Sequence, residues 1–173
     1  MKAAVDLLVE RLNGLMPRIA IVLGSGLGSL VEEVTEAIRI PYSELPGFPV
    51  SAVSGHAGTL VAGYLGQEPV IMLAGRVHYY EHGDASAMRV PIETLMGLGV
   101  RSLILTNAAG SLREDMPPGS VMQITDHINF SGRNPLIGEP SDNRFVGMTS
   151  AYDAALAQAI RDAAAAEGVP LSQ

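Results

Sequence analysis

Four short stretches of this 173-residue sequence carry side chains and glycines that are suited to binding an anion. The first, IVLGSGLGSL at residues 21–30, runs from an apolar strand into three glycines, with Ser25 between the first two. Such a turn brings backbone N–H groups close to a negative charge, and the hydroxyl of Ser25 adds a further donor. Glycines that only allow tight helix–strand packing explain the same stretch, so both interpretations stay open here.

The second stretch, AGRVHYYEHG at residues 74–83, follows a predicted strand. Because side chains alternate along an extended chain, we expect Arg76, His78 and Tyr80 to share one face. The guanidinium of Arg76 is a planar, permanently charged fork that suits phosphate, and the imidazole of His78 offers a second donor. A solvated strand end is the alternative, but three convergent polar groups favour a binding site.

The same stretch also contains His78, Glu81 and His82 in the H-x-x-E-H spacing of inverted zinc proteases. That motif requires a helix, which places both histidines on one face around the metal. A strand precedes the motif and Gly83-Asp84 closes it, so we expect little room for a helical turn and no metal site.

The third and fourth stretches are SGHAGTL at residues 54–60 and TNAAGSL at residues 106–112. His56 stands between glycines in a predicted loop, where it is free to reach a ligand, although a lone loop histidine is more often simply exposed. Small residues after a buried strand let the backbone approach a ligand at the carboxyl end of a sheet. A plain exit from the strand explains TNAAGSL equally well.

The elements that position these stretches are predicted from apolar periodicity and from glycine and proline breaks. Helices are expected before Gly14 and over residues 27–34, 86–98 and 151–167. Strands are expected over residues 18–23, 59–65, 69–75, 102–107 and 120–125, and residues 39–50, with three prolines and a glycine, are expected to form a loop. Strands that alternate with helices predict an α/β fold, with a mixed, largely parallel central sheet flanked by helices.

Length and composition narrow the class of protein. The net charge of −7 argues against a nucleic-acid partner, and the lack of cysteine excludes disulfides and thiolate chemistry. No apolar run is long enough to span a membrane, and the N-terminus does not resemble a signal peptide, so we expect a cytoplasmic protein. We expect a single domain over residues 1–173. Its final VPLSQ is typical of the approach to another strand, which suggests a domain that is incomplete at the C-terminus.

Taken in order, the stretches resemble the trimeric, low-molecular-mass purine nucleoside phosphorylases. The matching motifs are GSGLG at 24–28, GHAG at 55–58, GRVHYYE at 75–81, TNAAGSL at 106–112 and DHINFSGRNPL at 126–136. In that family inorganic phosphate attacks the anomeric carbon of a purine nucleoside, which gives free purine and ribose or 2-deoxyribose 1-phosphate. The resemblance implies a homotrimeric purine-salvage enzyme that binds purine nucleoside and phosphate and needs neither cofactor nor metal.

The resemblance also implies a role for individual residues. The implied phosphate ligands are the side chains of Ser25, His56, Arg76 and His78 and the backbone N–H of Ala108, with Arg76 and His78 as the catalytic pair. The implied lining on the base side is Asn107, Ala108, Ala109 and Gly110. Tyr80 would face the ribose, and Phe145 would cover it from the neighbouring subunit. The purine-reading residues of the family lie beyond Gln173, so the preference for 6-oxo- or 6-aminopurines is not readable, and residues 1–173 alone are expected to be inactive.

Two other functions are compatible with the sequence. A Rossmann-type NAD-binding domain would hold the pyrophosphate on Gly24–Gly28 and the ribose on Glu44, although Ser29 replaces the last glycine of the G-x-G-x-x-G fingerprint. A non-catalytic module would bind phosphate or nucleoside without turning it over. Titration with the cofactor distinguishes the first alternative, and an assay with inosine distinguishes the second.

Overall fold

The computed structural model describes residues 1–49 and 58–173, so His56 lies outside the described residues. The described chain divides into two compact units, Met1–Ala108 and Ala109–Gln173. That residues 1–173 form a single domain therefore stays a prediction. The helices are α1 Lys2–Arg11, α2 Tyr79–His82, α3 Arg89–Gly97 and α4 Ala154–Ala166. The strands are β1 Ile19–Leu23, β2 Thr35–Pro41, β3 Thr59–Leu65, β4 Glu68–Ala74, β5 Ser102–Leu105, β6 Val121–Met122 and β7 Leu171–Ser172.

The first unit is built on a five-stranded sheet in the order β2-β3-β4-β1-β5. β1 is parallel to both β4 and β5, whereas β3 is antiparallel to its neighbours β2 and β4. The mixed sheet with helices confirms the predicted α/β fold. Because Val22 pairs with both Leu73 and Leu105, strands β4, β1 and β5 end together. We call this end of the sheet the carboxyl edge.

Strands β1 and β4, which are neighbours inside the sheet, are continuous apolar runs because both of their faces are covered. On one face, Leu8 of α1 and Leu95 of α3 pack with Ala20 and Ile71 in a single buried cluster. On the other face, Ile21 and its neighbours pack with residues of the segment between β1 and β2. Leu8 is fully buried, and truncation of such a side chain to alanine costs roughly 2–5 kcal/mol of stability. This core packing holds in place the strands that form the carboxyl edge.

Strand β2 lies partly where a loop was predicted, and that part of the prediction is wrong. The strand extends to Pro41, and its register with β3 is irregular between Thr35 and Ile38. An edge strand accepts a proline at its end because the lost N–H would have no partner on the open side. The predicted helix over 27–34 is instead a 3₁₀ helix, Gly28–Glu33, and the predicted strand over 120–125 shortens to β6.

The second unit contains α4 and a short parallel pair, β6 with β7. Helix α4 begins where the carboxylate of Asp153 accepts the backbone N–H of Leu156 at 2.8 Å, which is a typical N-cap. Gln123 joins the helix to the strand pair, because its amide donates to the carbonyl of Ala157 at 2.9 Å. In the described part of the chain, no helix combines the length and the apolar character needed to span a membrane.

Candidate active site

The carboxyl edge carries three of the four predicted stretches. The glycine turn follows β1, Arg76 follows β4 by two residues, and Asn107 follows β5 by two residues. These strands are neighbours and run in the same direction, so their exits meet at one edge of the sheet. Ligands of open α/β sheets bind outside this edge.

Two of the three turn glycines are required by the geometry, for different reasons. A Cβ atom on Gly24 would lie 2.7 Å from the carbonyl oxygen of Thr106 and 2.8 Å from Cα of Asn107, which is too close. Gly26 has a φ of +85°, which side-chain-bearing residues rarely adopt, and the turn closes with the Leu27 N–H donating to the Gly24 carbonyl. A Cβ on Gly28 would meet open space. Tight packing is therefore part of the explanation for the glycines, but the packing partner is the exit of β5.

Exposed residues with hydrogen-bond donors lie at the carboxyl edge. Ser25 is exposed, and neither its N–H nor its hydroxyl makes a hydrogen bond to any residue within 1–49 and 58–173. The backbone N–H of Ala108 is also without a partner among the described residues. Exposed donors that converge at one edge are what an anion requires.

Arg76 is held at this edge by the ends of two strands. Its Nη1 donates to the carbonyl of Thr106 at 2.8 Å and to the carbonyl of Leu23 at 3.3 Å. Among the described residues, all hydrogen bonds of the guanidinium are donated by Nη1, and its other N–H groups have no partner there. The structure thus fixes a permanent positive charge between the exits of β1 and β5.

His78 and Tyr80 come together, but not by the predicted alternation. Val77 is buried while Arg76 and His78 are half-buried, so the alternation holds as far as His78. Tyr80 lies on α2, and its ring stacks on the imidazole of His78 with centroids 5.0 Å apart and planes 9° apart. Because Tyr80 is 75% exposed, this stacked pair presents an aromatic face to solvent.

The expectation that the H-x-x-E-H stretch leaves little room for a helical turn is wrong. Residues Tyr79–His82 form α2, and the carboxylate of Glu81 accepts the backbone N–H of His78 at 2.7 Å. Gly83, with a φ of +68°, ends the turn by donating to the carbonyl of Tyr79 at 2.7 Å. In residues 1–49 and 58–173, no three His, Cys, Asp or Glu side chains are grouped so that they could hold a metal ion.

The remaining predicted site residues lie in the second unit. Ala109 and Gly110 open this unit and are exposed. Phe145 is 73% exposed, and the guanidinium carbon of Arg144 lies 4.7 Å from its ring centroid. In the DHINFSGRNPL stretch, His127 Nδ1 is hydrogen-bonded to the hydroxyl of Tyr152 at 3.0 Å. The roles of Ala109, Gly110 and Phe145 stay predictions.

Two hydroxyl residues at the carboxyl edge were not identified from the sequence. The Oγ1 of Thr106 accepts the N–H of Gly24 at 2.8 Å and donates to the carbonyl of Val22 at 2.9 Å. The hydroxyl of Tyr42 donates to the carbonyl of Gly75 at 2.8 Å, and burial raises the pKa of this hydroxyl well above its ordinary value. Thr106 is part of the quoted TNAAGSL motif, so a hydroxyl at the end of a buried strand was the available signal.

The residue that a Rossmann-type site would need is occupied elsewhere. Glu44 pairs with the guanidinium of Arg11 at 2.8 Å, in a one-turn 3₁₀ helix after β2. The glycine turn leads into a six-residue 3₁₀ helix, whereas a dinucleotide site places the pyrophosphate at the start of an α-helix. The geometry therefore does not favour NAD binding at Gly24–Gly28.

Comparisons with known proteins agree with the motifs. The phosphorylase superfamily matches residues 18–173. Purine nucleoside phosphorylase 1 of Geobacillus stearothermophilus is 49% identical over 152 residues, which cover 86% of this chain and 55% of that protein. Purine nucleoside phosphorylase 1 of Bacillus subtilis is 42% identical over 160 residues, which cover 91% of this chain and 59% of that protein.

Solved structures extend this similarity to the fold. A purine nucleoside phosphorylase in complex with ribose-1-phosphate has a TM-score of 0.88 at 33% identity, and the match covers 99% of this chain and 66% of that one. Isoform 2 of the Schistosoma mansoni enzyme, in complex with cytosine and ribose-1-phosphate, has a TM-score of 0.84 at 34% identity, with coverages of 99% and 62%. The match with this chain thus covers between 55% and 66% of the length of these relatives.

The resemblance to the purine nucleoside phosphorylases that the motifs indicated is confirmed by these relatives. The match begins at Arg18, next to the first strand, and takes in both units of the structure. It includes the glycine turn, the Arg76 stretch and the exit of β5, which meet at the carboxyl edge. The chain belongs to the phosphorylase superfamily.

Proposed function

We propose that the protein cleaves purine nucleosides by phosphorolysis. Inorganic phosphate and a purine ribonucleoside or 2′-deoxyribonucleoside give free purine and the corresponding pentose 1-phosphate. The observation that carries this proposal is the placement of Arg76, whose guanidinium is hydrogen-bonded to the carbonyls of Thr106 and Leu23. Ser25 and Ala108, whose backbone N–H groups have no partner among the described residues, each follow one of these two carbonyls by two residues. A fixed cation at the same sheet edge as exposed N–H and O–H donors suits a multiply charged oxyanion.

Phosphate would bind to the side chains and backbone that converge at the carboxyl edge. Arg76 would contribute the donors that the strand carbonyls leave unused, while the Ser25 hydroxyl and the Ala108 N–H would bind further phosphate oxygens. His78 would donate from its imidazole, and the resemblance adds His56 as another ligand. Hydrogen bonds to a charged oxygen each contribute roughly 1.5–3 kcal/mol, so several such contacts suffice to hold a dianion in water.

The same contacts explain how the bond is broken. A phosphate oxygen attacks the anomeric carbon while the glycosidic bond breaks, and the electron pair of the glycosidic bond passes to the purine nitrogen. The proton that monohydrogen phosphate loses on forming the ester is taken up by the departing purine, so atoms and charge balance. The sugar acquires oxocarbenium character, which the adjacent phosphate anion stabilises before it bonds to the carbon. Positioning the phosphate in line with the departing base removes much of the entropic cost of joining two substrates. No electrons are gained or lost, so the proposed reaction requires no redox cofactor, and the resemblance implies no metal.

The ribose would lie against aromatic residues. The exposed ring of Tyr80, stacked on His78, offers one apolar face to the sugar. Phe145 would cover the sugar from a neighbouring subunit in a homotrimer, and its exposure of 73% is compatible with a partner there. Asn107, Ala108, Ala109 and Gly110 would line the base side of the pocket. A cytoplasmic location stays a prediction.

The experiment is a phosphate-dependence assay on the full-length protein. Inosine and adenosine are supplied separately, and release of the free base is followed with and without inorganic phosphate. The proposal predicts base release that requires phosphate and saturates with it, for at least one nucleoside. Folded protein that binds NAD, or that binds phosphate but releases no base, would support the Rossmann or the non-catalytic alternative instead.

A further inference from the structure

Tyr42 is a core residue with polar contacts to two backbone segments at the carboxyl edge. Its side chain is 3% exposed, and its ring packs edge-on against Phe48 with centroids 5.1 Å apart. The hydroxyl donates to the carbonyl of Gly75 at 2.8 Å. The backbone N–H donates to the carbonyl of Gly58 at 2.6 Å. One residue therefore binds the chain both where β3 begins and where β4 ends.

The contact with Gly75 bears directly on Arg76. The carbonyl of Gly75 and the N–H of Arg76 belong to one peptide group, which is planar, so fixing the carbonyl orients the start of Arg76. Gly75 has a φ of +116°, a conformation that other residues rarely adopt, and it turns the chain out of β4. The Tyr42 hydroxyl thus holds the peptide from which the Arg76 side chain extends to the carbonyl of Thr106.

Tyr42 also contacts Gly58, which precedes β3, the strand paired with β4. A Cβ on Gly58 would lie 2.9 Å from Cδ2 of Tyr42, so the ring lies directly against the Gly58 backbone. The next residue, Thr59, pairs with Ala74 at the end of β4. The Tyr42 ring therefore packs against the beginning of β3, while its hydroxyl binds the carbonyl that follows the end of β4. These two contacts restrict the movement of the side chain.

The hydroxyl is also hard to replace. Gly75 is buried, and a buried carbonyl that loses its donor bears the full cost of its desolvation. The neutral phenol donates the hydrogen bond, and this form already predominates near pH 7 at the ordinary pKa of tyrosine; burial raises the pKa of the Tyr42 hydroxyl further. Phenylalanine at this position would fill the same space but leave the carbonyl without its side-chain donor.

We propose that Tyr42 is a positioning residue for phosphate binding, because its buried hydroxyl orients the Gly75–Arg76 peptide group and thereby aims the guanidinium. Tyr42 does not touch the substrate in this account. The inference rests on the proposed function only in naming phosphate as the anion, since the hydrogen bond to Gly75 is a property of the protein without ligand.

The test compares Tyr42→Phe with Thr94→Val in the full-length protein. Thr94 is fully buried on α3 and donates its hydroxyl to the carbonyl of Val90 at 2.8 Å, the same distance as the bond from Tyr42. Each substitution removes one buried hydroxyl and keeps the approximate volume. We expect Tyr42→Phe to raise the phosphate KM about fivefold, with the nucleoside KM changed less than about twofold. Thr94→Val should leave both KM values unchanged, even where thermal unfolding shows a similar loss of stability.

A second readout separates this inference from the proposed function. Amide hydrogen exchange in peptides that span Gly75–Arg76 should be faster in Tyr42→Phe by about tenfold and unchanged in Thr94→Val. If the parent enzyme shows no phosphorolysis, the proposed function fails, and the exchange experiment still decides whether Tyr42 holds the peptide. An unchanged phosphate KM in an active Tyr42→Phe enzyme overturns the inference, as does unchanged exchange at Gly75–Arg76.

Discussion

The effect of replacing Arg76 by alanine can be estimated from the contacts of its guanidinium. The substitution removes the permanent cation at the carboxyl edge, together with the Nη1 hydrogen bonds to Thr106 and Leu23. These bonds use one nitrogen of the fork, and under the proposed function the remaining nitrogens would contact phosphate. Loss of one charge-assisted contact costs on the order of 2–3 kcal/mol, which corresponds to about a hundredfold in kcat/KM for phosphate.

The assay is steady-state phosphorolysis by the full-length enzyme with phosphate varied at saturating nucleoside. Arg76→Lys provides a graded comparison, because lysine keeps the charge but not the planar fork, and we expect it to lose about tenfold. Arg39→Ala is the matched control. Arg39 also donates to a backbone carbonyl, that of Val31 at 3.4 Å, and pairs with the carboxylate of Glu32 at 3.1 Å.

Arg39→Ala should change kcat/KM for phosphate by less than about twofold, because an exposed ion pair contributes little. Melting temperatures of all variants show whether any loss reflects unfolding. A folded Arg76→Ala enzyme whose kcat/KM for phosphate falls by less than about threefold would refute the assignment of Arg76 to the phosphate site. A loss equal to that of Arg39→Ala would refute it as well.

Three further predictions follow from the glycine turn, the exit of β5 and the second unit. Gly24→Ala should lower the free energy of unfolding by roughly 1–3 kcal/mol in denaturant titrations, because its Cβ meets backbone at 2.7 Å, whereas Gly28→Ala, which meets open space, should change it little. Thr106→Val removes the acceptor of the Gly24 N–H and should raise the phosphate KM by about three- to tenfold, and an unchanged KM would contradict the role given to the hydroxyl. Mixing Phe145→Ala with Arg76→Ala subunits under exchange should restore part of the activity, and no recovery with exchange demonstrated would argue against a site shared between subunits.

The sequence identified the strands that form the carboxyl edge because their signals are local. The apolar runs of β1 and β4 are buried on both faces, so the absence of alternation was informative. The end of β2 was missed because Pro41, Pro46 and Pro49 dominate the composition there, while the pairing that makes it a strand involves β3, beyond residue 58. Local composition does not record a partner of that kind.

At the candidate site, too, the residues whose partners are distant in sequence were missed. Arg76 and His78 were proposed as site residues from chemistry and spacing; the structure shows both half-buried after β4, and their roles stay predictions. Tyr42 was not identified, because its partner Gly75 is 33 residues away and only the folded sheet brings them together. The turn of α2 was missed because a side-chain contact, Glu81 to the His78 N–H, stabilises a helix too short to show periodicity.

Under the proposed function, phosphate rather than water cleaves the glycosidic bond. Phosphorus NMR of the full-length protein with a purine nucleoside and inorganic phosphate tests this most directly, with the free base measured in the same sample by absorbance. If phosphate is the nucleophile, inorganic phosphate declines while a pentose 1-phosphate resonance grows in equal amount with the free base. Release of the base with free pentose and an unchanged phosphate signal would contradict it.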